Sequence, residues 1–175
     1  MTNKRRISKD EYYLNIAREV CKRSTCLKRH YGAVIVKNDE IISTGYNGAA
    51  RGEPNCCNIH KECPRKNVKH NSGNYGDCPA VHAEQNAIIS SSRSELLNSV
   101  LYLYGEDVIL DGNGEILVIT EIDDVQPCPI CMRLIKNSGI KEIVYFSENG
   151  KFIKTTNLIL PNMPTVSVDK ERIRS

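Results

Sequence analysis

The chain has 175 residues, of which 40% are hydrophobic and 26% charged, a composition typical of one globular domain with a substantial core. Its formal net charge of +3 permits binding of a small anion but is too small for a dedicated polynucleotide binder. No apolar segment follows the basic start Lys4-Arg5-Arg6, and no later stretch resembles a membrane span. We therefore expect a single cytoplasmic domain over residues 1–175 with no membrane partner. In that compartment its eight cysteines favour metal binding over disulfides.

The N-terminal region predicts an amphipathic helix from residue 8 to about residue 24. Ser8 and Glu11 form a capping-box pattern at its start. Apolar residues then recur at helical spacing, which predicts a buried face that includes Cys21. These residues are Tyr13, Ile16, Ala17, Val20 and Cys21.

A β-hairpin is predicted next, because the β-branched runs 33–37 and 41–45 flank Asn38-Asp39-Glu40. Gly45-Tyr46-Asn47-Gly48 follows directly and predicts a turn. Within it, Asn47 offers both a hydrogen-bond donor and an acceptor. A plain structural turn is the alternative interpretation.

Residues 49–81 form a long Cys-rich insertion without clear periodicity, and such a segment needs either a cross-link or a function. A second, structural zinc would compensate for its chain entropy. We favour Cys26, Cys56, Cys63 and Cys78 as the ligands, with His60, His70 or Cys57 as substitutes. The alternative is that these thiols are free and buried.

The second half of the chain alternates helices and strands. A helix over 83–90 would pack Ala83, Ala87, Ile88 and Ile89 inward, and its end would fray over 90–94. A second helix begins at Cys128 and ends at Gly139, a C-cap. Strands are predicted at 100–104, 115–120, 140–146 and 152–159, with turns at 111–114 and 148–150. This order implies a layered α/β domain with a mixed sheet.

Two short motifs, His82-Ala83-Glu84 and Pro127-Cys128-Pro129-Ile130-Cys131, carry the chemistry. One imidazole and two thiolates suit zinc, and a catalytic zinc has three protein ligands and one open position. If helices begin at His82 and Cys128, the three ligands and Glu84 meet at two helix N-termini, where the macrodipole favours thiolates. Glu84 is then a proton carrier and not a ligand.

Each motif has an ordinary interpretation when it stands alone. Cys-x-x-Cys is more often a structural half-site or a redox pair, and a single histidine is usually surface. Their joint occurrence as H-x-E with P-C-x-x-C is the signature of zinc deaminases.

With these motifs, the chain resembles the zinc-dependent deoxycytidylate (dCMP) deaminase family, within the cytidine deaminase superfamily, over about residues 10–146. The resemblance rests on Arg23-Ser24-Thr25-Cys26, Gly32-Ala33-Val34-Ile35-Val36, Gly45-Tyr46-Asn47-Gly48, His82-Ala83-Glu84-Gln85-Asn86-Ala87-Ile88 and Pro127-Cys128-Pro129-Ile130-Cys131. It implies a three-layer α/β/α cytidine-deaminase-like domain with about five strands. The implied reaction is hydrolysis of dCMP to dUMP and ammonia, which supplies dUMP for thymidylate synthesis.

The resemblance also implies roles for individual residues. His82, Cys128 and Cys131 would bind zinc, and Glu84 would carry protons from water to N3 and the leaving amine. Asn47 and Asn86 match positions expected to contact the nucleotide, and Arg29 is a candidate phosphate ligand because a guanidinium binds phosphate bidentately.

Family members are commonly homo-oligomers, hexamers among them, that dCTP activates and dTTP inhibits. Many carry a second zinc near the Cys-rich segment. Two alternatives stay open: a deaminase of another cytosine nucleoside, nucleotide or RNA base, and a non-catalytic zinc-stabilised module. A substrate panel separates the first, and four protein ligands on the His82 metal would favour the second.

Overall fold

The computed structural model describes residues 6–68, 78–146 and 152–155. His70, the predicted turn at 148–150 and the end of the predicted strand 152–159 lie outside these residues. The helices are α1 (Lys9–Cys21), α2 (Cys56–Ile59), α3 (Ala83–Ile89), α4 (Arg93–Leu96) and α5 (Pro129–Ser138). Across the described ranges, none of these helices combines the length and the apolar character that a membrane crossing requires.

Eight strands are described, in two sheets. They are β1 (Arg29–Lys37), β2 (Glu40–Tyr46), β3 (Gly48–Ala49), β4 (Ala80–Val81), β5 (Val100–Leu110), β6 (Ile116–Glu121), β7 (Glu142–Phe146) and β8 (Phe152–Thr155). The main sheet has the order β2-β1-β5-β7-β8, with β6 on the far part of β5, and β3 pairs with β4. The pair β5–β7 is parallel and the other pairs are antiparallel, so the predicted mixed sheet is confirmed, with β6 as one strand more than the expected five.

The main sheet is covered by helices on both faces. Side chains alternate between the two faces along each strand, so each face supplies apolar residues to its own core cluster. Val34, Val36, Tyr102 and Tyr104 face α1 and pack with Tyr13, Leu14, Ala17 and Cys21. Ala33, Ile35, Leu101 and Leu103 face the other way and pack with residues of α3, α4 and α5. The result is the expected three-layer α/β/α arrangement.

Local signals act as the sequence predicted at three points. The Ser8 hydroxyl accepts a hydrogen bond from the Glu11 amide and caps α1. Asn38 and Asp39 have φ values of 51° and 68°, which closes the β1–β2 hairpin with a tight turn. Gly139 ends α5 at φ 85°.

A close backbone contact at Gly45 seats α3 on the sheet. A Cβ atom there would lie 2.2 Å from the carbonyl oxygen of Ala83 and 2.4 Å from the amide nitrogen of Ala87. Glycine therefore lets β2 approach the first turn of α3 more closely than any other residue could. This contact fixes the helix end that carries His82 and Glu84.

Three local predictions were wrong. Ile89 is 67% exposed because it follows the buried Ala87 and Ile88 onto the solvent side of α3. The region predicted to fray contains α4, which begins at a Ser92–Glu95 capping box. Strand β5 runs on to Leu110 because its second half pairs with β6.

Candidate metal centre

Two helix N-termini meet at the motifs that the sequence singled out. His82 is the N-cap residue of α3, and its backbone N–H donates to the Gln85 side chain at 2.9 Å. Cys128 is the N-cap residue of α5, with Pro129 in the first helical position. The Cys131 amide donates to the Cys128 sulfur at 3.4 Å. The side chains of three residues therefore converge from separate elements.

The three predicted zinc ligands have suitable spacing. His82 Nδ1 lies 3.5 Å from the Cys128 Sγ and 3.3 Å from the Cys131 Sγ. A tetrahedral zinc with ordinary Zn–S and Zn–N bonds separates nitrogen and sulfur by roughly 3.6 Å. Among the described residues, these are the only three or more His, Cys, Asp or Glu side chains with ligand atoms all within 4.8 Å of one another. The donor set fits zinc.

Protonation of the cluster also favours a metal. The pKa of Cys128 falls well below its ordinary value because side-chain hydrogen bonds with Cys131, and also with His82, stabilise its thiolate. The pKa of Cys131 rises because that thiol keeps its proton against Cys128 and is buried. The hydrogen bond with Cys128 raises the pKa of His82. A divalent cation would replace the protons that these atoms share.

Glu84 lies beside this cluster in the first turn of α3 and is only 5% exposed. Burial raises the pKa of its carboxyl group, and a hydrogen bond with Cys131 opposes that rise. A buried carboxyl group next to a metal centre can exchange protons near neutral pH. The geometry agrees with the predicted role, which stays a prediction.

One cavity opens onto the cluster. Its wall includes His82, Glu84 and Cys128. Three basic side chains, Lys28, Arg29 and Arg65, also line it. A cavity with this excess of positive charge suits an anionic ligand.

Two of the predicted substrate-binding residues lie on this wall. Arg29 pairs with Asp107, with 2.6 Å between Nε and Oδ1. Asn47 is buried, and its Oδ1 accepts hydrogen bonds from the Tyr31 amide and the Ser24 hydroxyl at 2.7 Å each. The first role of Asn47 is therefore to hold the chain segments beside β1 in place.

Asn86, the third predicted contact, is half-buried on α3. Its side-chain Nδ2 donates to the carbonyl oxygen of Tyr46 at 2.8 Å, which ties α3 to the end of β2. It is not among the described residues that line the cavity. A substrate contact through Asn86 stays a prediction.

The four cysteines predicted to bind a second zinc are neighbours. Burial raises the pKa of Cys26, and the nearby Cys63 and Cys78 raise it further. Burial also raises the pKa of Cys56, to which Cys26, Cys78 and Cys63 add. Within the described chain no three of these sulfurs meet the 4.8 Å spacing of the His82 cluster. Of the substitutes, Cys57 and His60 are exposed.

Tyr31 is a cavity residue that the sequence reasoning missed. Its ring packs against Gly105, the residue opposite on β5, where a Cβ atom would lie 2.7 Å from the ring. Burial raises its pKa to about 12, although a hydrogen bond with Arg29 opposes the rise. Only the cross-strand register reveals this position, so no local signal could have found it.

The fold and the site together define an α/β protein with a His–Cys–Cys cluster that suits zinc and a buried carboxyl group beside it. The chain belongs to the family described as the cytidine and deoxycytidylate deaminase zinc-binding region, whose model matches residues 7–147.

Several proteins of known name are similar to the chain. A deoxycytidylate deaminase of Mycobacterium phage D29 is 35% identical over 80% of this chain and 95% of its own length. That of Schizosaccharomyces pombe is also 35% identical, over 90% of this chain but only 42% of its own length. The crystal structure of dCMP deaminase from the cyanophage S-TIM5 in complex with dCMP and dUMP superimposes on this chain with a TM-score of 0.53. The two sequences are 25% identical, and the match covers 80% of this chain and 83% of the cyanophage chain.

Proposed function

We propose that this chain catalyses the hydrolytic deamination of dCMP to dUMP and ammonia. The observation that carries the proposal is the set of three zinc ligands at two helix N-termini with the buried Glu84 beside them and not among them. A structural zinc site would be closed by a fourth protein ligand. Among the described residues no fourth ligand joins these three, and a buried carboxyl group beside them suits proton transfer.

The named relatives support the choice of substrate. Two of them are deoxycytidylate deaminases at 35% identity, and the cyanophage structure contains dCMP and dUMP. The basic side chains in the cavity agree with a substrate that carries a phosphate.

Protons move through Glu84 in the proposed reaction. Zinc held by His82, Cys128 and Cys131 would supply Lewis acidity, which lowers the pKa of a water molecule at the site. The Glu84 carboxylate accepts a proton from the attacking water molecule, and the oxygen of that water adds to C4 of cytosine. Glu84 delivers this proton to N3, then takes the remaining proton of the hydroxyl group added at C4 and passes it to the amino group, which leaves as ammonia as the C4 carbonyl forms. Because Glu84 lies in the first turn of α3 beside its N-cap His82, the helix start orients proton carrier and ligand together.

Arg29, Asn47 and Asn86 are the proposed substrate contacts. Arg29 lines the cavity, and the Asp107 carboxylate orients its guanidinium group. Asn47 also lines the cavity and carries a side-chain amide that the backbone of β1 holds rigidly. Asn86 would contact the nucleotide from α3.

We also propose a second, structural zinc held by Cys26, Cys56, Cys63 and Cys78. The support is that Cys26, Cys63 and Cys78 line one cavity. Burial raises the pKa of Cys26 and of Cys56, and the neighbouring thiols of this set add to the rise. Binding of zinc would require these sulfurs to move closer together and would remove their protons. The segment 49–68 would then be cross-linked to the start of β1.

A homo-oligomer, of which a hexamer is one form, is proposed from the family resemblance. Exposed apolar residues along β6 support it, because Ile116, Leu117, Val118 and Ile119 are between 43% and 67% exposed. A strand with this character at a sheet edge needs a cover. The same resemblance suggests dCTP and dTTP as effectors, and initial rates with and without each nucleotide test this.

A substrate panel tests the proposed reaction. The zinc-loaded chain is assayed for ammonia release with dCMP, deoxycytidine, dCTP and CMP side by side. We expect dCMP to give the highest kcat/KM. A higher value with another cytosine compound would reassign the substrate, and no release from any of them would contradict the proposal.

A further inference from the structure

Lys28 makes a three-point contact with the Cys-rich segment. Its ammonium group donates to the backbone carbonyls of Arg65, Lys66 and Val68 at 3.0, 3.1 and 2.9 Å. A lysine side chain has three N–H donors, so all of them are used in this contact. Although Lys28 lines the cavity, its donors hold the backbone and are not directed at a ligand.

The segment that Lys28 holds is itself compact. The Lys66 amide donates to the Cys63 carbonyl at 2.9 Å, and the Val68 amide donates to the Arg65 carbonyl at 3.0 Å. The Arg65 carbonyl therefore accepts from both Val68 and Lys28. Because Lys28 directly precedes the rigid strand β1, the backbone of Arg65 is anchored to the sheet.

The side chain of Arg65 lies at the cavity that contains the candidate metal centre. It lines the same cavity as His82 and Glu84. The other guanidinium group of the cavity, on Arg29, has its charge offset by Asp107. Arg65 is the second guanidinium group of the cavity and comes from the Cys-rich insertion.

The charge of the wall selects the ligand class. Among the described residues that line the cavity, Lys28, Arg29 and Arg65 are basic and Glu84 is the acidic one. Guanidinium groups bind phosphate oxygens through two parallel hydrogen bonds, which makes them suited to a phosphate monoester. The cytosine ring must approach Glu84, so the phosphate is the part of a nucleotide left for the basic residues.

We propose that Arg65 binds the phosphate of the nucleotide substrate and that Lys28 is a positioning residue that holds Arg65 in place. This inference rests on the proposed function, since it assigns the phosphate group of that substrate. Specificity for a nucleotide over a nucleoside is then supplied by the Cys-rich insertion. The described part of the insertion around Arg65 is thus part of the binding site.

Binding of dUMP and of deoxyuridine, measured by calorimetry, tests the proposal without turnover. The two ligands differ only in the phosphate. Arg65→Gln is expected to raise the Kd for dUMP about 10- to 100-fold, as for loss of a charge-assisted hydrogen bond. The Kd for deoxyuridine should hardly change.

Lys28→Met and the double variant separate positioning from direct contact. Lys28→Met keeps most of the aliphatic stem and should weaken dUMP binding in the same direction. In the Arg65→Gln background it should add little, because the two residues act through one interaction. The matched control is Lys66→Met, which removes an exposed lysine of the same segment that pairs with Glu62.

The outcomes are distinct. If Arg65→Gln raised the Kd values for dUMP and deoxyuridine by the same factor, or changed neither, the assignment of Arg65 would be overturned. Full additivity in the double variant would overturn the positioning role of Lys28. Absence of ammonia release by the wild type would contradict the proposed function alone, because the binding ratio still decides the role of Arg65. Zinc content is measured for each variant, so that metal loss is recognised.

Discussion

The Nδ1 atom of His82 lies 3.3 Å from the Sγ atom of Cys131, although the two residues are 49 positions apart in the chain. Each atom is fixed by the start of a different helix, α3 for His82 and α5 for Cys131. The packing of both helices on one face of the sheet therefore decides whether the metal centre exists.

Replacement of a ligand should remove the catalytic zinc. We expect Cys131→Ser to lose zinc from this site, because a neutral hydroxyl group is a far weaker ligand than a thiolate. Elemental analysis of the purified variant measures the change as one zinc fewer per chain. Cys57→Ser is the control, since Cys57 is exposed and lies far from this cluster in sequence. Unchanged zinc content in Cys131→Ser would remove Cys131 from the ligand set.

The second zinc is tested by stoichiometry. The wild type is expected to bind two zinc ions per chain, and Cys63→Ser to bind one while it retains the His82 centre. Cys57→Ser should keep both, because Cys57 is not among the four proposed ligands. A wild-type content of one zinc per chain would contradict the second site, and loss of a zinc in Cys57→Ser would show that Cys57 is a ligand.

Gly45 is predicted to be essential for seating α3. Gly45→Ala should lower the free energy of unfolding by about 1–3 kcal/mol, because the new methyl group would overlap the backbone at Ala83 and Ala87. Denaturant unfolding measures the loss. Gly112→Ala is the matched control, since a Cβ atom there meets nothing within 4 Å. Equal stability of the two variants would contradict the close-packing interpretation.

Strand β6 is predicted to form a contact between copies of the chain. Light scattering should give a wild-type mass above the 19.7 kDa of one chain, and Leu117→Lys should reduce it, since a charge at the interface core is costly. Ile89→Lys places the same change at an equally exposed position, 67% in both cases, outside β6. A monomeric wild type, or an equal effect of both variants, would argue against an interface at β6.

Much of the fold follows from local signals in the sequence. The Ser8 cap, the Asn38-Asp39 turn and the Gly139 C-cap each act over a few residues, so their outcomes were predictable. Helix α4 also has a local signal, because Ser92 and Glu95 form a capping-box pattern. The surrounding serines made this pattern easy to overlook.

Other features depend on contacts between distant residues, which a sequence pattern does not encode. The extension of β5 to Leu110 depends on pairing with β6, although Gly105-Glu106-Asp107 looks like the end of a strand. The basic cluster Lys28-Arg29-His30 looks like a solvated surface. In the structure Lys28 holds a distant segment, Arg29 pairs with Asp107 and His30 is buried. The metal ligands were predictable because their chemistry restricts both residue type and spacing.

Turnover by Glu84→Gln is the most direct test of the proton-carrier role. The substitution keeps the size of the side chain and leaves the three zinc ligands unchanged. We expect zinc content equal to that of the wild type and a kcat for dCMP at least about a hundredfold lower, as for loss of a general acid–base group. Near-normal deamination by a zinc-replete Glu84→Gln variant would contradict this account.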